Sequence, residues 1–167
     1  MKTVACLLVV AWMAGCAHGP GGPLGVDLGR ERQVGAVLDD WHLAAAHADA
    51  ARYFGHFSGH AVFVGTDGAE RWDLAAFRTF AMPHFERGTA WTYVATSRHV
   101  VVSRGGDVAW FDESLRNDKY GEVRGSGVLL WQGGRWRIAH YVMSFPVPNE
   151  VAGEVIGLVR GRAASSP

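Results

Sequence analysis

Four long runs of β-favouring residues fill the second half of the chain. They cover residues 90–102, 107–115, 120–131 and 136–145. Gly-Gly or Asn-Asp pairs separate them, and such pairs suit tight antiparallel turns. At period two the last run divides into Trp136, Ile138, His140, Val142 and Ser144 against Arg137, Ala139, Tyr141, Met143 and Phe145. Neither set is properly polar, so we expect this strand to contact protein on both faces.

The first half of the chain shows helical spacing instead. Apolar residues recur three or four positions apart at Val34, Val37, Leu38, Trp41, Ala45 and Ala48. This spacing predicts one helix with a single apolar face. Asp49 is suited to cap a second, short helix that carries Tyr53, Phe54 and Phe57. We expect Gly59 to end that helix before a short strand at 60–64.

A third helix is predicted after Asp73, which again has the character of an N-cap. Its apolar positions are Leu74, Phe77, Phe80 and Ala81. Pro83 lacks a backbone N–H and clashes with the preceding turn, so we expect it to break or kink this helix near Met82.

Helices first and an antiparallel meander afterwards predict an α+β fold with the helices on one face of a sheet. Gly121, Gly125 and Gly127 fall in the third long run, where glycine often marks a bulge or strong curvature. We therefore expect a cone-shaped, curved antiparallel sheet wrapped around the N-terminal helices. A short helix is expected in a C-terminal tail, 151–167.

The first 15 residues have the pattern of a secretory signal peptide. Lys2 precedes an apolar run at 4–14, which is too short to cross a hydrocarbon core that needs about 20 helical residues. Met13-Ala14-Gly15-Cys16 resembles the bacterial lipobox, in which the Cys is acylated and becomes the N-terminus. Residues 16–29 are rich in Gly and Pro and predict a flexible tether, with the folded domain at 30–150.

Acylation of Cys16 predicts a membrane-anchored lipoprotein of the bacterial cell envelope. Each buried acyl CH₂ contributes about 0.8 kcal/mol, so several chains hold a domain at a membrane without a spanning helix. Ala17 is not the acidic residue that signals inner-membrane retention, which favours the outer membrane by resemblance. An ordinary signal peptide with a Cys nearby is the alternative. Because Cys6 lies in the removed segment, no internal disulfide is expected.

Composition narrows the function classes only partly. The chain has 167 residues, 49% of them hydrophobic and 19% charged, which suits one globular domain. Sixteen basic residues balance 16 acidic ones with no basic run, so the electrostatic footprint of a nucleic-acid binder is missing. The seven Trp residues suit a core and subunit interface or an aromatic-lined pocket. No phosphate-binding, dinucleotide or metal-ligand motif is found, so neither cofactor nor metal is expected.

A set of short motifs, together with the order of elements, points to a known family. The motifs are Gly65-Thr66-Asp67, Glu70-Arg71-Trp72, Ala109-Trp110-Phe111, 124–129, 136–141 and 146–150. They resemble the SnoaL-like domains of the nuclear transport factor 2-like superfamily, and the likeness spans 34–150. The resemblance implies a cone with a hydrophobic pocket and a homodimer formed through the outer sheet face. The superfamily includes isomerases, dehydratases, cyclases and non-enzymatic binding domains, so the fold alone does not choose a function.

The resemblance also suggests a pocket wall and one candidate acid/base pair. The expected wall is Trp41, Tyr53, Phe54, Phe77, Trp110, Trp136 and His140. His140 would act as a general base or bond a ligand, or it is a satisfied core residue. Either Asp112 or Glu113 must point inward at period two, and an inward Asp112 would form a dyad with His140. Alternatively the strand ends there and both carboxylates are wet, or one pairs with Arg124.

Two functions of different class follow. The first is a lipid-anchored domain that binds a small apolar or amphipathic molecule, or a protein partner, in or around its cone. The second is a cofactor-free isomerase, dehydratase or cyclase that transfers a proton inside the cone through His140 and Asp112. The sequence favours the first and leaves enzyme activity uncertain.

Overall fold

The structure is a computed structural model that describes residues 27–88 and 90–165. Its helices are α1 (Leu28–Ala46), α2 (Ala50–Gly55), α3 (Leu74–Glu86) and α4 (Ala152–Ser165). Its strands are β1 (Phe57–Val64), β2 (Arg71–Asp73), β3 (Val94–Val102), β4 (Val108–Asn117), β5 (Gly121–Gln132) and β6 (Arg135–Ser144). A single turn of 3₁₀-helix, Asn149–Val151, precedes α4. The predicted signal peptide and Cys16 lie outside the described residues.

The strands form one curved sheet in the order β2-β1-β6-β5-β4-β3. Each pair of neighbours is antiparallel except β1 and β6, which run parallel. Helix α1 packs against β3 and β6, and α3 packs against β1 and β2. The predicted α+β fold, with a curved sheet wrapped around N-terminal helices, is confirmed.

Aspartate caps set where the first three helices begin. The carboxylates of Asp27, Asp49 and Asp73 accept hydrogen bonds from the backbone N–H groups of Arg30, Arg52 and Ala76. Each bond satisfies a donor that the first helical turn leaves without an internal partner. The predicted caps Asp49 and Asp73 are confirmed, and the cap at Asp27 starts α1 inside the segment that we expected to be tether.

One predicted helix boundary is wrong, and of the two outcomes predicted at Pro83 the break does not occur. Helix α2 ends at Gly55, and Phe57 already belongs to β1, where it pairs with Ile138 of β6. Helix α3 continues through Pro83 to Glu86. Phe85 explains the continuation, because its ring is buried against Tyr53 and Trp91 at centroid distances of 5.0 and 5.5 Å. Burying one Phe contributes about 1.5–3 kcal/mol, which offsets most of the cost of a proline near a helix end.

A row of side chains across the inner sheet face shows how the core is built. Neighbouring strands contribute Trp72, Phe63, Tyr141, Gly127, Phe111 and Val100 in that order. Gly127 is required at its place, because a Cβ there would lie 2.2 Å from the carbonyl oxygen of His140. The aromatic rings of this row close over α1 and α3.

A bulge in β6 decides which of its side chains face the core. Leu129 pairs with Ile138 whereas its neighbour Val128 pairs with His140, so Ala139 is an extra residue in the ladder. Ile138 and Tyr141 are consequently both fully buried although they are three positions apart. His140 therefore lies on the outer face, beside the half-buried Val62 and Val128. Simple period-two alternation placed it on the wrong face.

The C-terminal helix α4 stands apart from the packed layers. Its large apolar side chains, Val155, Ile156, Leu158 and Val159, are all exposed. None of the helices in 27–88 and 90–165 is both long enough and apolar enough to cross a membrane.

Candidate functional site

A cavity of 610 Å³ opens at the end of the cone where three segments meet. These segments are the stretch before β3, the β4–β5 turn and the end of β6. The cavity is lined by Phe63, Thr66, Phe77, Phe80, His84, Ala90, Trp91, Thr92, Tyr93, Asn117, Lys119, Tyr120, Met143 and Phe145. Its volume falls within the range of about 300–1,000 Å³ that suits small-molecule ligands. Its mainly aromatic wall is also typical of such sites.

The aromatic wall continues directly into the packed core. Phe63 stacks on Phe77 with ring centroids 4.1 Å apart. Trp91 lies against Phe85 and Tyr53, at 5.5 and 5.7 Å. The cavity floor is therefore formed by rings that also pack against the buried core.

Asn117 holds the rim of the cavity in place. Its Nδ2 donates to the carbonyl oxygen of Thr92 at 2.9 Å, which joins the β4–β5 turn to the segment carrying Trp91 and Tyr93. Its Oδ1 accepts from the backbone N–H groups of Lys119 and Tyr120, both at 3.0 Å. One amide side chain thus positions two rim residues and ties together segments that are 25 residues apart.

A second cluster of polar side chains lies deeper in the cone and is not connected to the cavity. We call Glu113, His42, Arg98 and Tyr141 the Glu113 cluster. Glu113 is 1% exposed, and its Oε1 accepts from His42 Nε2 at 2.9 Å and from the Tyr141 hydroxyl at 3.0 Å. Its Oε2 accepts from Arg98 Nε at 2.8 Å. Arg98 also donates to Asp39 and to the carbonyl oxygen of Gly35, so the cluster fastens α1 to the sheet.

The hydrogen bonds and charges within the Glu113 cluster shift the pKa values of Glu113 and Tyr141. Burial would raise the pKa of Glu113, but the hydrogen bond and charge of His42 and the charge of Arg98 outweigh it and hold the pKa below its usual range. Burial, with the adjacent Glu113 charge, raises the pKa of Tyr141 well above its ordinary value. Glu113 is therefore ionised and accepts three hydrogen bonds, which leaves it a poor proton acceptor.

The Glu113 cluster does not open into the cavity. Along β4 the inward side chains are Glu113, Leu115 and then Asn117, and only Asn117 lines the cavity. Leu115 is fully buried between them. Along β6 the cavity is lined by Met143, one inward position beyond Tyr141. The cluster therefore fits an internal support better than a reaction centre.

The structure separates the residues of the expected pocket wall. Trp41, Tyr53, Phe54 and Trp136 are buried in the packed core, and of the expected set Phe77 alone lines the cavity. Trp110 is 41% exposed. It lies on the outer face in one row with His140. The prediction placed the wall one layer too deep at the four core residues. At Trp110 and His140 it chose the wrong face of the sheet.

The expected dyad of His140 and Asp112 is not assembled. Both lie on the outer face, and Asp112, with its side chain 63% exposed, bonds His99 at 3.1 Å. Glu113 is the carboxylate that points inward. Its cationic partner is Arg98, whereas the partner considered from the sequence was Arg124. The sequence held a signal for this, because Glu113 is in phase with the apolar Ala109, Phe111 and Leu115. The rim residues Lys119, Tyr120 and Phe145 had no such signal.

The described residues contain no group of three or more His, Cys, Asp or Glu side chains that could hold a metal ion. The cavity lining itself contains His84 but no carboxylate or thiol. Binding there would depend on ring contacts and hydrogen-bond donors.

Residues 34–148 match the family model of the SnoaL-like domain. The chain belongs to this family. The match covers both the cavity and the Glu113 cluster and leaves out α4. Comparison with curated proteins gives no match. Family membership therefore establishes the scaffold, and the activity has to be argued from the site.

Solved structures share this fold at low sequence identity. A nuclear transport factor 2-like protein of unknown function from Pseudomonas putida is 18% identical, with a TM-score of 0.61 over 76% of this chain and 94% of its own. A candidate dehydratase from Streptomyces avermitilis is 14% identical, with a TM-score of 0.62 over 72% and 98%. A candidate ketosteroid isomerase from Shewanella frigidimarina is 18% identical, with a TM-score of 0.56 over 70% and 98%.

Proposed function

We propose that this SnoaL-like domain binds a small, largely apolar molecule in the cavity at the end of its cone. The observation that carries the proposal is an open, aromatic-lined space of 610 Å³ whose described lining residues include no carboxylate. Proton transfer needs a positioned acid or base facing the substrate. Among the described residues the buried carboxylate is Glu113, which accepts three hydrogen bonds and does not line the cavity.

The cavity is tested by filling it. Ala90 lines the cavity and is half-buried, so Ala90→Trp should block it, whereas Ala51→Trp adds the same ring at an exposed site on α2. Protein purified from its native host is analysed by native mass spectrometry for a co-purifying small molecule. We expect the molecule with wild type and Ala51→Trp but not with Ala90→Trp. A molecule retained by Ala90→Trp, or found with none of the three, contradicts the proposal.

The alternative is an isomerase- or dehydratase-type reaction in the same cavity. It draws support from the two relatives described as candidate enzymes, and from His84 in the wall, since histidine is the commonest general acid or base. The co-purified molecule distinguishes the two functions. A product that accumulates on incubation with wild type but not with His84→Gln would favour the enzyme.

We further propose that Cys16 is lipidated and anchors the domain in the bacterial envelope, with the outer membrane favoured. The support is the sequence pattern around Cys16. Cys16→Ser should move the protein from the membrane fraction to the soluble fraction and abolish incorporation of labelled palmitate. Cys6→Ser is the matched control and should behave as wild type. Labelling that persists in Cys16→Ser would contradict the anchor.

We also propose that two copies associate through the outer sheet face. One row across five strands consists of Val62, His140, Val128, Trp110 and Val101, all half-buried or exposed in the single chain. Trp110→Glu should give a monomer by light scattering. Leu43→Glu replaces a similarly exposed side chain (45% against 41%) on α1 and should leave the dimer intact. A monomeric wild type contradicts this proposal.

A further inference from the structure

The charged side chain in the cavity wall is positive, whereas an ordinary protein surface carries charges of both signs. Among the described residues, the cavity wall contains one Lys or Arg side chain, Lys119, and neither Asp nor Glu. Asp118 and Glu86 are close in the sequence, but both are exposed and neither lines the cavity. A cavity with low-dielectric walls and charge of one sign concentrates ligands of the opposite charge.

The Lys119 ammonium group belongs to the cavity lining and has no carboxylate partner among the described residues. Its backbone N–H is fixed by Asn117, as described above. Its Nζ lies 4.8 Å from the centroid of the Tyr120 ring and makes no ion pair within 27–88 and 90–165. The Tyr120 ring also contacts Phe145, with centroids 5.6 Å apart. The positive charge therefore stands where the aromatic wall meets water.

His84 adds a second donor to the cavity lining. Arg87 donates from Nη2 to Nδ1 of His84 at 3.1 Å, which leaves the ring proton on Nε2. The same contact places a guanidinium group next to the cavity wall. The His84 ring lies 6.0 Å from Trp91 and 5.8 Å from Phe80, so its donor is set among the aromatic side chains.

The other polar side chains of the lining do not add a negative charge that would repel an anionic ligand. The oxygen of the Asn117 amide already accepts two backbone hydrogen bonds. Burial, and to a lesser extent the neighbouring Tyr120, raises the pKa of Tyr93, which keeps this phenol protonated and able to donate. The cavity lining thus combines hydrogen-bond donors with aromatic side chains.

We propose that the cavity takes an organic anion, with an apolar, ring-sized body among the aromatic side chains and a single carboxylate or phosphate head beside Lys119 and His84. This inference rests on the proposed binding function and adds the chemical class of the ligand. The wall holds the body of any apolar molecule of suitable size. The donors at the mouth select among such molecules by their heads, because hydrogen bonds to an ionised acceptor are roughly twice as strong as neutral ones.

The test compares probes that share one body and differ in the head. Full-length protein is titrated with 2-naphthoate, 2-naphthylmethanol, 2-naphthylmethylammonium and 2-naphthyl phosphate, by calorimetry and by the fluorescence of the Trp residues. We expect one or both anions to bind about tenfold tighter than the alcohol, and the ammonium probe to bind weakest. The two anionic probes distinguish a carboxylate from a phosphate head.

Two variants locate the effect. Lys119→Met should abolish most of the preference for the anion and leave the affinity for the alcohol unchanged. Arg116→Met removes one positive charge from an exposed position on β4 outside the cavity, and it should keep the preference. High salt should weaken binding of the anions and spare the alcohol.

The outcomes separate the two proposals. Equal affinity for alcohol and anions overturns the anion inference while the binding function stands. A preference for anions that survives in Lys119→Met overturns the assignment to this mouth. Failure of all four probes to bind, together with no molecule from the native host, overturns the binding function and this inference with it.

Discussion

The Glu113 cluster and the cavity mouth are two polar regions of the cone in which similar residue types have different roles. In the Glu113 cluster the buried carboxylate accepts hydrogen bonds from His42, Arg98 and Tyr141 of the same chain. At the cavity mouth, Lys119 and His84 present donors to open space. A buried carboxylate between a Tyr, a His and an Arg in a cone therefore need not be an acid/base site. What matters is whether the polar atoms retain an unfilled bonding position that a ligand can reach.

The largest expected effect comes from breaking the closed region. Glu113→Gln keeps the shape of the side chain but leaves Arg98 without its buried counter-charge, which should lower the free energy of unfolding by about 3–5 kcal/mol. Asp112→Asn is the matched control one residue away, and its exposed site should change stability by no more than about 0.5 kcal/mol. Urea unfolding measures both. Equal stability of the two variants would show that the cluster is not a support.

A smaller effect is expected from crowding the same region without removing a charge. A Cβ on Gly125 would lie 2.1 Å from the Tyr141 hydroxyl and 3.0 Å from Cγ of Glu113. Gly125→Ala should therefore displace the hydroxyl from Glu113 and cost about 1–3 kcal/mol. Adding Tyr141→Phe to Gly125→Ala should recover part of this loss, because the nearest clashing atom is gone while Cζ of residue 141, at 2.8 Å, remains. No recovery in the double variant would place the strain elsewhere.

An ion pair that is partly open to water should contribute less still. Asp40 accepts from Arg52 and from His56, and the Arg52 hydrogen bond chiefly lowers its pKa from 3.8 to about 2. The unfolded chain then takes up a proton first as the pH falls, so this stabilisation is present above about pH 4 and is lost towards pH 2. Because the Asp40 side chain is 40% exposed, solvent screening leaves about 1 kcal/mol of it.

Thermal unfolding of wild type and Asp40→Asn from pH 7 to pH 2 measures this contribution. We expect the two stability curves to differ above pH 4 and to converge near pH 2. A constant difference over the whole range would mean that Asn disturbs packing and that the ion pair contributes little.

The smallest effect on stability is expected at the open region. Lys119 is exposed and its ammonium group has no counter-charge among the described residues, so Lys119→Met should change the free energy of unfolding by no more than about 0.5 kcal/mol. The same variant should lose the preference for anionic probes. This combination of intact stability and lost binding is the opposite of what Glu113→Gln should show. Marked destabilisation by Lys119→Met would erase the distinction between the two regions.

Local chemistry explains why much of the fold was predictable from the sequence. Aspartate caps, apolar spacing of three and four, and Gly-Gly turns act within a few residues, so they located α1, α3 and the four long strands to within a few positions. The same reasoning failed for Phe57 and for a helix break at Pro83, where a distant partner decided the outcome. Phe57 is drawn into β1 by pairing with Ile138, and Phe85 keeps α3 helical by its burial.

The candidate site was much less predictable. The cavity forms where residues near 91, 119 and 145 meet, and no local pattern marks such a meeting. Among the expected wall residues only Phe77 lines it, because ring size and apolar character are the same for core packing and for a pocket wall. Glu113 could have been found from its phase with Phe111 and Leu115, but its partners His42 and Arg98 come from other elements.

The sequence by itself determined the family, the α+β order of elements and the helix caps, since each of these rests on residues close together in the chain. Tertiary structure alone decided that His140 faces outward, that β1 runs parallel to β6 and that Glu113 is closed off from the cavity. The physical reason is that strand phase depends on pairing. One extra residue at Ala139 reverses the face of every residue that follows it, and the hydrogen bonds that place this bulge come from a different strand.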